Sequence, residues 1–119
     1  MNKFVKKFRE PVNGLTHLFG AVFSVIGLAL LLYDAISNGK TLQIIAFSIF
    51  GLSMVALYVS SSLYHSLIVS DKAILWLRKL DHSMIYVLIA GTYTPILLLV
   101  FNGEWRWELF TAIWGLSVA

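Results

Sequence analysis

The residues with chemistry to offer sit in two short polar stretches at the ends of long apolar runs. Ser60-Ser61-Ser62-Leu63-Tyr64-His65 closes one run, and Leu80-Asp81-His82-Ser83 opens the next. Ionisable groups are costly to hold at membrane depth, so there they mark a functional site with a partner close by. An imidazole with a carboxylate and a hydroxyl can bind a divalent metal and position a water on it. Ser61 and His65 are four residues apart and share one helical stripe. The hydroxyl can therefore hold one ring nitrogen and leave the other to coordinate. Glu10, Asn13 and His17 follow i, i+3, i+7 spacing and form a second stripe. Asp81 enters from a third segment, where it can orient a metal-bound water or pair with a histidine.

Each residue also has a plainer reading. His65 can simply end a helix at the interface, and Asp81 can cap the third helix at its positive dipole end. Ser61 can bond its own backbone, and Glu10 with His17 can form a packing network. His82 lies about 100° around the helix from Asp81, so the two are not expected to face one site.

The elements that must position these groups are hydrophobic helices. The chain has 119 residues, 59% of them hydrophobic and only 13% charged, with a mean hydropathy of +0.82. Soluble domains carry about 25% charged residues, so an ordinary soluble domain is excluded. The absence of cysteine excludes disulfides and thiolate metal sites. The net charge of +3 is confined to particular loops, which points to membrane lipids as partners and not to nucleic acid. The expected fold is all-α, a multi-pass transmembrane helical bundle.

Three complete spans are expected at about 13–35, 42–64 and 82–101, after a basic stretch over 1–10. Pro11 suits the first turn of a helix. A signal peptide would explain the basic start, but the first apolar run exceeds an h-region of about 7–15 residues and further spans follow. Gly20, Ser24 and Gly27 lie near one face of the first span, where a neighbour can approach closely. The connector 66–80 is expected partly in the headgroup region with Trp76 as anchor, and Pro95 is expected to kink the third span. A fourth apolar segment, 109–119, reaches only ~17 Å against ~30 Å of hydrocarbon, so it reads as cut short.

Charge sets the expected orientation. Lys3, Lys6, Lys7, Arg9, Lys72, Arg78 and Lys79 fall on one side of the three spans, Lys40 and Arg106 on the other. Positive charge stays inside, which places the N-terminus in the cytoplasm. His17, His65 and Asp81 then lie ~12–18 Å from the middles of their spans, all toward the cytoplasmic edge.

These motifs in this order resemble the bacterial haemolysin III family, a branch of the progestin and adiponectin receptor superfamily of seven-span membrane proteins. The resemblance rests on Glu10-Pro11-Val12-Asn13-Gly14-Leu15-Thr16-His17, Ser61-x-x-x-His65, Leu80-Asp81-His82 and Gly91-Thr92-Tyr93-Thr94-Pro95. It implies a zinc site near the cytoplasmic face, with His65 as a metal ligand and Asp81 contacting the zinc through water. Asp81 and Ser61 would take the catalytic roles, in hydrolysis of a lipid amide or in membrane-lipid homeostasis. The family's closing histidine pair, in the last span, has no counterpart here, so this chain alone is not expected to assemble a tight catalytic site. The competing readings are a structural zinc site and a pore-forming or cytolytic protein without a reaction, acting through self-association. A pore needs a polar stripe along the full height of a helix, whereas the middles of the first two spans offer little beyond Ser24, Ser48 and Ser53.

Overall fold

The structure is a computed structural model that describes residues 10–118. The basic residues Lys3, Lys6, Lys7 and Arg9 lie outside the described residues. Helix α1 runs Pro11–Ser37, α2 Thr41–Ser66, α3 Asp71–Pro95 and α4 Arg106–Val118, and Ile96–Val100 continues α3 as a π-helical turn. No strand occurs among the described residues.

Local chemistry sets the ends of these helices. Pro11 occupies the first helical turn of α1, where its missing N–H costs no bond. α1 stops at Asn38 and Gly39, and Gly39 takes the left-handed φ of 65° that the turn into α2 requires. Ser70 caps α3, its hydroxyl accepting from the Ala73 N–H at 3.3 Å.

That cap moves a boundary. The third helix begins at Asp71, so it takes in most of the stretch read as a connector, and the non-helical link is 67–70. After Ser70 no glycine or proline interrupts the chain until Gly91, and the apolar residues of 73–80 run in phase into the span. Asp81 consequently lies in the interior of α3, where it has no free helix end to cap.

Pro95 does not break α3. The helix widens into the π turn just after it, and the Phe101 N–H reaches back to the Ile96 carbonyl at 2.9 Å. Thr94, fully buried, donates to the Ala90 carbonyl at 2.9 Å and accepts from the Trp114 indole at 3.0 Å. This hydroxyl is the polar tie between α3 and α4. Thr94→Val is expected to lower stability by about 1 kcal/mol and to shift Trp114 emission; chemical unfolding in detergent checks the first and fluorescence the second.

α2 lies between α1 and α3 in a layer only 15 Å thick. α1, α2 and the continuous helix 71–100 are each long and apolar enough to cross a membrane. Their packing is that of membrane helices: the interior holds Ala21, Ala35, Ala46, Ala90, Ser24 and Ser53, while Phe19, Phe23 and Leu30 face outward. Gly91 marks a close α2–α3 approach, since a Cβ there would meet the Ser53 side chain, its Cβ at 2.6 Å. The expected small-residue face on α1 is used only in part. Gly20 abuts Tyr58, but Gly27 has nothing within 4 Å and borders an apolar cleft of about 330 Å³.

Candidate functional site at one end of the bundle

The first turns of α1 meet the last turns of α2 through a set of polar contacts. The Glu10 N–H donates to the His65 carbonyl at 2.6 Å, and the Ser62 hydroxyl donates to the Gly14 carbonyl at 3.0 Å. Both bonds need close backbones. Gly14 provides the room, because a Cβ there would collide with the Ser66 hydroxyl. Each helix end thereby satisfies backbone groups that would otherwise stay unpaired.

Two histidines stand on this seam. The Nδ1 of His17 contacts the Ser61 hydroxyl directly across the interface. The Nδ1 of His65 lies 3.1 Å from a carboxylate oxygen of Glu10, an ion-pair distance somewhat off the line of a hydrogen bond. The other Glu10 oxygen accepts from the Asn13 amide at 3.1 Å, which fixes the carboxylate. The two imidazoles meet edge to face with centres 5.6 Å apart, and His17 also packs on Tyr58 at 6.0 Å.

The pairing differs from the one expected. Ser61 shares a stripe with His65 but serves His17 instead, and Glu10 takes the place beside His65. The cause is the close antiparallel packing at Gly14, which brings an imidazole from the neighbouring helix to Ser61. Ser61 is accordingly a residue that positions His17. The Glu10–His65 pair was not read from the sequence; the signal for it was that Glu10 and His65 fall at the same end of adjacent spans.

Asp81 is half-buried on α3. It sits level with the α2 cluster, because the Tyr64 and His82 rings meet at 6.5 Å. Among the described residues none forms a hydrogen bond or ion pair with its carboxylate. His82 is exposed and donates from Nδ1 to the Arg78 carbonyl at 2.7 Å, so it is tied to its own helix.

A catalytic zinc takes three protein ligands and keeps a fourth position open. Among the described residues no three His, Cys, Asp or Glu side chains converge in that way. These residues by themselves therefore do not fit a closed zinc site, and they support no reaction step through a metal.

The family model described as "Haemolysin-III related" matches residues 5–119. The chain belongs to the Haemolysin-III related family. Within it, the chain is 42% identical to "Hemolysin-3" of Bacillus cereus over 118 residues, covering 99% of this chain and 52% of that protein. It is 43% identical to "Hemolysin-3 homolog" of Bacillus subtilis (strain 168) over 109 residues, covering 92% of this chain and 51% of the relative. This Haemolysin-III related chain thus spans about half the length of the curated relatives it matches. No solved structure matches it.

Proposed function

We propose that the polar end of this bundle is one wall of a zinc centre in an integral membrane protein, opening to the cytoplasm. His65 gives an imidazole nitrogen, and Asp81 holds a water near it. The remaining ligands come from outside these 119 residues, in keeping with relatives about twice as long. The observation that carries the reading is the Glu10 carboxylate 3.1 Å from His65 Nδ1. A carboxylate on one ring nitrogen turns the other outward as a ligand, the usual support for a metal-bound histidine. The activity we assign to the whole protein is hydrolysis of a lipid amide, in the service of membrane-lipid homeostasis.

The test is turnover of a long-chain lipid amide by the purified full-length protein in zinc-containing buffer. Asp81→Asn is expected to lower the rate at least ~100-fold, the scale of a lost acid–base or water-positioning group. Zinc retention without turnover in the wild type would make the metal structural. Cytolysis by a pore is the second reading, favoured by the name of the Bacillus cereus relative. Against it, the hydroxyls of Ser24, Ser48, Ser53 and Ser60 each donate to the carbonyl four residues back in their own helix. Hydroxyls bonded in this way offer little to an aqueous path.

A further inference from the structure

The continuous helix 71–100 is longer than a bilayer core. Its 30 residues measure ~45 Å at the helical rise, against ~30 Å of hydrocarbon. With the apolar stretch that ends at Val100 in the core, roughly the first ten residues stand at headgroup depth. There Leu75, Arg78, Lys79 and His82 follow i, i+3, i+4, i+7 spacing and line one surface groove of about 360 Å³. Exposed apolar side chains belong to the same stretch of helix: Leu75, which lines the groove, is 57% exposed, and its neighbour Trp76 is 62% exposed. Water would disfavour such a surface, whereas acyl chains and glycerol backbones would cover it.

We propose that Arg78 and Lys79 bind the phosphate of an anionic phospholipid, with Leu75 and Trp76 against its glycerol and upper acyl chains. The charges suit this occupant. Arg78 and Lys79 offer a planar fork of donors and a mobile ammonium to a phosphate, and no described residue pairs with either side chain. Lys72 stands one to two turns earlier on the same exposed flank. The nearest acids on the helix are Asp71, two turns away, and half-buried Asp81, which forms no ion pair with Arg78. A soluble acidic peptide would find the same cations but would leave Trp76 and Leu75 uncovered. The combination of cations and apolar flanks is what selects a lipid.

The experiment uses the full-length protein with Trp76 as its sole tryptophan, in vesicles of phosphatidylcholine containing a minority of brominated lipid. Brominated phosphatidylglycerol is expected to quench Trp76 more strongly than brominated phosphatidylcholine at the same mole fraction. Each basic residue near an anionic surface favours binding about fivefold. The Arg78→Gln/Lys79→Gln double variant is thus expected to lose about 25-fold of the relative affinity, while Lys40→Gln at the opposite end retains it. Equal quenching by the two lipids in the wild type would overturn the proposal. So would a preference left intact in the double variant, with unchanged helicity showing that it had folded. Full competition by inorganic phosphate would also overturn it, because the site would then take free anions and not a headgroup.

Discussion

In the full-length protein, His65→Ala is expected to weaken zinc binding at least ~100-fold, measured by titration against a competing chelator. The magnitude follows from a comparison of shells. Loss of a residue that only supports a ligand costs 10–100-fold in affinity, and loss of the ligand itself must cost at least the upper figure. Glu10→Ala, which removes the carboxylate 3.1 Å from the ring, is expected within that lower range. Ser61→Ala acts through His17 and is expected to fall below both. Zinc retained at wild-type affinity in His65→Ala would remove the metal reading and leave the cluster as helix packing.

The second large effect concerns the α2–α3 seam. Glycine to alanine inside a helix normally stabilises by about 1 kcal/mol, through propensity alone. At Gly91 the sign is expected to reverse, because the new Cβ would lie 2.6 Å from the Ser53 Cβ, close to the α2 backbone. Gly91→Leu is expected to lose about 3 kcal/mol or more, as overpacking in a closed interface forces the helices apart. Gly27 is the control, with nothing within 4 Å of its added Cβ. Gly27→Ala is expected to be neutral or stabilising. Unfolding in mixed detergent micelles measures all three, and a Gly91→Ala as stable as Gly27→Ala would contradict the packing described.

Much of the helical fold was legible because hydropathy reports membrane helices directly. The turns at Asn38-Gly39 and after Phe101 stood out as polar breaks. The start of α3 did not, because 73–80 mix charge with helical apolar spacing, and only the Ser70 cap decides where the helix begins. Within the site, the shared end of the bundle was legible and the partners were not. One-dimensional spacing places Ser61 and His65 on the same stripe, but it cannot say which stripe of α1 docks there. Gly14 decides that by letting α1 come close enough for Glu10 to reach His65 and for His17 to reach Ser61. The π turn after Pro95 was likewise hidden, since a proline gives notice of a lost bond but not of how the helix absorbs it.

The proposed metal site requires that Glu10, across the α1–α2 seam, hold the proton of His65 on Nδ1 so that Nε2 stays available to a ligand. Nitrogen-15 spectra of histidine-labelled, metal-free protein in mildly alkaline buffer test it most directly. His65 is expected to carry its proton on Nδ1, facing the carboxylate, with Nε2 bare, and Glu10→Ala is expected to abolish this preference. A proton found on Nε2 alone in the wild type would contradict it.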